Sequence, residues 1–302
     1  MKSTYMIKNN MELLLLATPA LLYFVIFQYF PMFGNIIAFK DFRYDLGILG
    51  SKWIGFENFS FFFSSQDALR ITKNTVLYGI VFTMIDTIAA MLLAVLLYEV
   101  LSNRALKYYQ TVMMFPRFLS WVVVGYLSYT LLNPVHGILN QLLDFFGTAG
   151  RDWYSNSDYW PWILTITQAW KNIAFPMLLY YASLLAVNPE QFEAAELDGA
   201  DWFQKTRYVS LPALTPVVIM LSLLAIGNIF KGDFGLFYQL TRDVGTLYPT
   251  TDIIDTYVFR SLKTANPGMT TAVTLYQSVV GLVMILISNF IIRKINPEHA
   301  LF

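Results

Sequence analysis

FEAAELDGADWFQKTRYVSLP, residues 192–212, lies between two strongly apolar segments yet carries four acids and two bases of its own. Just upstream, Asn188 suits an N-cap, Pro189 the first helical position, and Glu190 and Glu193 the positive end of a helix dipole. Gly199 supplies the left-handed residue that ends a helix. Asp201 with Gln204 three residues on reads as a capping box. Lys205 and Arg207 fall towards the favourable C-terminal end. Pro212 disfavours helical geometry at Leu211 and opens the next apolar segment. The spacing therefore predicts two short helices at an angle, over 189–208. On the first, Phe192 and Ala195 share a face and Ala194 leaves room for close approach. That is the build of a helix lying in another protein's groove, or of a cap packed on the chain's own helix ends.

The flanks say what kind of chain keeps such a loop. Of 302 residues, 56% are hydrophobic and 13% charged, and the mean hydropathy is +0.51. A soluble domain carries about 25% charged residues, so this is a membrane protein. The net charge is zero, which argues against a nucleic-acid partner. Without cysteine, disulfides, thiol catalysis and thiolate metal sites are excluded, and His136 and His299 are too few for a metal cluster. No catalytic residue and no metal site is expected. No GxxxxGK[ST] loop occurs either, so any ATP is expected to be bound by another chain.

About twenty apolar residues cross a bilayer as helix. Six segments qualify, roughly 11–33, 74–98, 109–132, 160–182, 212–232 and 271–292. The first follows Lys2 and Lys8 and reads as a retained anchor, because it is too long for a signal-peptide core. Pro116 and Pro176 sit inside two spans, where neighbours must satisfy the freed carbonyls. The expected fold is an all-α polytopic membrane protein, one transmembrane domain over 1–302 with a loop at 183–211 and no soluble domain. An even number of spans places both termini on one side. The termini, 99–108 and 183–211 hold eight Lys and Arg in about sixty residues, against nine in about 110 for the other loops. That density puts the termini in the cytoplasm, although Arg70 and Lys73 count against it. The other loops are rich in Tyr, Trp and Phe, as interfacial belts are.

Glu193-Ala194-Ala195, then Gly199, then Val209 and Leu211-Pro212, with Asp198-Gly199-Ala200 as "DGA", resemble the cytoplasmic signature of binding-protein-dependent ABC importer permeases. Thr206 departs from it where many relatives carry an aromatic; Trp202, Phe203 and Tyr208 stand nearby for that role. The segments IIAFKDF, SKWIGFENFSFFF, NTVLYGI, LNPVHGILN, DTYVFR and NPEHALF are similar to the carbohydrate subfamily that handles oligosaccharides and complex glycans. The resemblance implies a coupling loop in the cytoplasm of a multi-pass protein in the bacterial plasma membrane. It implies a second, non-identical permease subunit, two cytoplasmic ATPases that hold ATP and Mg, and an extracellular solute-binding protein that delivers the sugar. An amino-acid permease and an ion-coupled secondary transporter are the alternatives; the latter has only Asp86 as a coupling acid and shows no repeat.

Charges inside spans are costly and face the interior or a water-filled path. Asp86 and Lys171 are expected to pair with each other or to line the pathway separately, and Arg117 to snorkel or pair near a helix break. Sugars are bound by aromatic faces and amides, so Trp170, Asn172, Asn228, Tyr276 and Gln277 are the candidates for lining the path. Interhelical hydrogen bonding competes with that role at each of them.

Overall fold

The computed structural model describes residues 11–263 and 267–295; Lys2, Lys8, His299 and the NPEHALF segment lie outside them. Two units form. One ends at Ser65 and resumes over Ser261–Tyr276; the other covers Gln66–Arg260 and resumes at Gln277.

In the first unit Leu15–Phe39 is an apolar helical stretch of 25 residues with 0% of its span window buried. Pro19 sits within it, and Val25–Tyr29 widens to a π turn. Such a helix is stable only in lipid or against another chain. It ends at a two-residue antiparallel pairing, Lys40–Asp41 with Lys52–Trp53. Lys40 Nζ donates to the Ile48 and Leu49 carbonyls at 2.7 and 3.2 Å, and Phe39 stacks on Trp53 with centroids 5.7 Å apart. IIAFKDF and SKWIGFENFSFFF thus meet as one aromatic-lined elbow.

The second unit is built on Gln66–Tyr98, 33 residues. At 1.5 Å per residue that is roughly 50 Å, well beyond the about 30 Å of a hydrocarbon core. Ala90 and Ala94, one turn apart and both 0% exposed, let Met177, Tyr180 and Leu184 pack closely. A second core gathers Tyr78, Trp160, Leu164, Leu236, Phe237 and Leu240. NTVLYGI threads it: Asn74 Nδ2 donates to the Asp252 carbonyl at 3.0 Å and Tyr78 to the Thr250 carbonyl at 2.9 Å. A Cβ at Gly79 would lie 2.7 Å from the Ile229 carbonyl oxygen, so only glycine fits there. In LNPVHGILN, Asn140 is the hub, accepting from Trp153 Nε1 at 2.9 Å and donating to the Arg151 carbonyl at 2.8 Å.

One expected span is sharply bent and another has its helical bonding interrupted at one residue. Segment 109–132 is two helices, Asn103–Phe118 and Trp121–Leu132, bent by 95°. The break is coded by Ser120, whose hydroxyl caps Val123 N–H at 3.3 Å and starts a new helix. Segment 160–182 is Trp160–Asn172 and Ala174–Leu185, parted at Ile173. Pro176 removes the N–H that Asn172's carbonyl would accept. Among the described residues, Gln66–Tyr98, Trp202–Gly227 and Pro267–Lys294 complete, with Leu15–Phe39, the four helices long and apolar enough to cross a membrane unaided.

Candidate functional site

Two places gather the residues of interest: the loop at 186–212 and a cavity between the helices of the second unit. In the loop, Asn188 Oδ1 accepts from Glu190 N–H at 3.1 Å and starts the helix Pro189–Leu197. Gly199, at φ +77°, closes it: Gly199 N–H reaches the Glu196 carbonyl at 3.0 Å and Ala200 N–H the Ala195 carbonyl at 2.9 Å, satisfying carbonyls a helix end leaves orphaned. Asp201 and Gln204 then form a reciprocal capping box, at 2.7 and 2.8 Å.

Beyond Lys205 the chain departs from expectation. Leu211 stays helical despite Pro212, and Trp202–Gly227 runs on as one helical stretch. The π turn Thr206–Ser210 absorbs the proline's missing N–H and its ring, so the second short helix merges into the following apolar one. The two arms of the loop are held rigidly. Lys205 Nζ meets Glu196 Oε1 at 2.7 Å. Phe192 packs on Tyr98, ring centroids 5.0 Å apart, pinning the first helix to the end of Gln66–Tyr98. Glu193, Ala194, Asp198 and Gly199 point outward and exposed, with Ala195, Ala200 and Val209 half-buried beneath and Leu211 and Pro212 exposed at the helix start. Leu197 is 89% exposed, an unpaid apolar surface beside them.

The cavity, about 330 Å³, lies between Gln66–Tyr98, Trp160–Leu185 and the end of Leu211–Gly227. Asp86, Gln168, Asn172, Tyr180, Asn228 and Lys231 line it. Asp86 and Lys171 do not pair. Asp86 accepts from Gln168 Nε2 at 2.8 Å. Lys171 turns to the helix break, donating to the Arg117 and Leu119 carbonyls at 2.9 and 2.7 Å beside the Trp121 ring. Arg117 donates to Asn172 Oδ1 at 3.4 Å and lies over the Phe175 ring.

Of the five path candidates, Asn172 and Asn228 reach this cavity. Trp170 does not. It is 48% exposed and lines two other hollows, one with Met113 and the other with Ile166. Gln277 donates to the Phe230 carbonyl and to Asp255, at 3.0 Å for the latter, closing the turn after Leu211–Gly227. Tyr276 belongs to the other unit, edge-on to Phe63 at 5.0 Å. Tyr180, Thr83 and Thr87 were not singled out from sequence, yet they line the cavity; their spacing of four along Gln66–Tyr98 for the two threonines was the available sign.

The family of binding-protein-dependent transport system inner membrane components matches residues 86–297. The chain is 33% identical over 287 residues to the polygalacturonan/rhamnogalacturonan transport system permease protein YteP of Bacillus subtilis (strain 168), covering 95% of this chain and 89% of that protein. It is 33% identical over 293 residues to protein LplB of the same organism, covering 97% and 92%. The fold matches the crystal structure of a bacterial ABC transporter involved in import of the acidic polysaccharide alginate, with TM-score 0.89, 30% identity and coverage of 98% of this chain and 100% of that one. With a charged, capped two-helix loop between apolar helices and relatives along nearly its whole length, the chain belongs to the inner-membrane permease components of binding-protein-dependent transport systems.

Proposed function

We propose that this chain is one permease half of an ATP-driven importer of an oligosaccharide or complex glycan. The observation that carries the mechanism is the rigid, outward-facing element at 189–208, tied by Lys205–Glu196 and Phe192–Tyr98. A packed two-helix element transmits force where a loose loop does not. Glu193 presents its charge to a groove of a cytoplasmic ATPase, Ala194 and Ala195 permit close approach, and Asp198-Gly199-Ala200 makes the turn. Val209, Leu211 and Pro212 pass the movement into the following helix. ATP and Mg are held by two ATPase subunits; this chain does the transport and not the hydrolysis. A second, non-identical permease supplies the other half of the pore.

Six crossings are reached by counting the bent pair Asn103–Phe118 and Trp121–Leu132 as one broken span and Trp160–Leu185 as another, within a single permease domain. Both termini and the 183–211 loop then lie in the cytoplasm of a bacterial plasma membrane, in keeping with the denser Lys and Arg of those segments. A solved relative in complex with an alginate pentasaccharide-bound periplasmic protein supports delivery by an extracellular solute-binding protein. It also makes acidic glycans natural first substrates to try.

The test is ATP-dependent uptake by the reconstituted complex with its binding protein. Asn172→Ala is expected to slow glycan uptake several-fold while basal ATP hydrolysis stays within about twofold, since one amide contact is worth about 1 kcal/mol. Trp170→Ala is expected to have the smaller effect, because Trp170 does not reach the cavity. Glycan uptake that is absent in the wild type, with uptake of an amino acid in its place, would overturn the substrate reading.

A further inference from the structure

A second cavity, about 210 Å³, opens between Trp121–Leu132 and the helix Phe234–Thr241, lined by Tyr126, Tyr129, Tyr238, Gln239 and Arg242. Its walls are fixed by close backbone approach: a Cβ at Gly125 would come 2.8 Å from the Gln239 carbonyl oxygen. Arg242 ends the second helix in left-handed geometry, φ 56° and ψ 26°, a conformation that residues bearing a Cβ rarely adopt. The fold maintains it and thereby sets the guanidinium over the Tyr129 ring, 4.0 Å from its centroid.

The acid next door is already taken. Asp243 accepts from Arg260 Nη1 at 3.0 Å and from the Tyr248 hydroxyl at 3.0 Å. Arg260 also takes Asp252 at 2.6 Å. Arg242 therefore forms no ion pair among the described residues, although it is the cation of a polar, tyrosine-walled pocket. A guanidinium stacked on an aromatic face keeps its N–H edge available, and that edge matches a carboxylate with two parallel hydrogen bonds. Tyr238 is stacked on Phe234 and the Tyr129 face lies under Arg242, but the exposed Tyr126 ring offers the apolar side of a sugar ring a stacking partner, while the Gln239 amide and the hydroxyls suit ring hydroxyls.

We infer that this pocket is a uronate subsite, holding one carboxylated sugar ring with its carboxylate on Arg242 and its ring against Tyr126. The inference rests on the glycan-import reading and narrows it to acidic glycans. The 330 Å³ cavity is lined by Asp86 and Asp233 as well as Lys231, so its charge does not by itself favour a carboxylate.

The experiment measures binding of trigalacturonate and trimannuronate, and of their carboxyl-reduced counterparts, to the complete permease–ATPase complex in nanodiscs. Import of the same four probes is followed in proteoliposomes with the binding protein. The wild type is expected to prefer at least one oligouronate over its reduced form. Arg242→Gln should weaken that oligouronate about tenfold, the scale of one charge-assisted hydrogen bond, and leave the reduced form unchanged. Arg242→Lys should recover part of the loss. Equal weakening of acidic and reduced probes, or release of the second permease from the Arg242→Gln complex, would overturn the subsite and make Arg242 an assembly residue. Import of reduced probes with no preference for either uronate would also overturn it, while leaving the glycan reading intact. Import of no glycan at all would remove that reading itself.

Discussion

Gly199→Val is expected to leave the permease in the membrane and to cut substrate-stimulated ATP hydrolysis by more than tenfold. Gly199 stands at φ +77° with no atom within 4 Å of where a Cβ would be, so no clash within the chain disfavours valine. The backbone does. Left-handed geometry costs an L-residue about 1–2 kcal/mol, and more for a β-branched one. The relaxed turn would lose the Gly199–Glu196 and Ala200–Ala195 bonds and swing Pro189–Leu197 away from its capped neighbour. Gly199→Ala, with the smaller Cβ alone, should fall between. The open space around Gly199 also means that a partner's groove would meet any added side chain directly. Co-purification of the ATPase with each variant, and its hydrolysis rate, measure both effects; wild-type values for Gly199→Val would reduce the loop to a helix cap.

Lys171→Met is expected to destabilise the permease itself, whatever its substrate. The Lys171 ammonium donates to the Arg117 and Leu119 carbonyls at the 95° break, and more distantly, at 3.4 Å, to the Pro116 carbonyl, which also accepts from Leu119 N–H. Lipid supplies no water to replace it. Two short charge-assisted bonds, about 1.5–3 kcal/mol each in soluble proteins and less in measured membrane cases, give a loss on the order of 3 kcal/mol. Methionine keeps the length and apolar stem of lysine, so packing is nearly unchanged. The lower melting temperature of the purified variant reads the loss, and Lys171→Arg should restore part of it. An unchanged melting temperature would mean that the carbonyls find other donors.

The same residue shows where the sequence stops being readable. The capped loop was legible because its signals are local: Asn188, Gly199, Asp201 and Gln204 each act within four residues. Lys171 was not, because its partners are backbone carbonyls freed by a bend that hydropathy averages away. Pro116 and Arg117 hinted at a break, and Ser120, an N-cap in the middle of an apolar run, was the local sign of where the new helix starts. The path candidates divide for a geometric reason. Gln168, Lys171 and Asn172 stand at spacings of three and four and share a helix face, whereas Trp170 is about 200° from Gln168 and faces elsewhere. Residue type chose Trp170; periodicity turns it away from this cavity. The helical passage through Pro212 was missed because a π turn leaves no residue signature of its own.

The central claim is that the 189–208 element meets an ATPase in the cytoplasm. The chain has no native cysteine, so a single Leu197→Cys variant, at an 89% exposed position, reports on that position alone and keeps the Lys205–Glu196 pair. In intact cells an impermeant maleimide should fail to label it, and in inverted vesicles it should label it fully. A heterobifunctional cross-linker on the same cysteine should capture the ATPase subunit, more efficiently with ATP bound than without. Labelling from outside intact cells, or no ATPase cross-link from an assembled complex, would contradict the account.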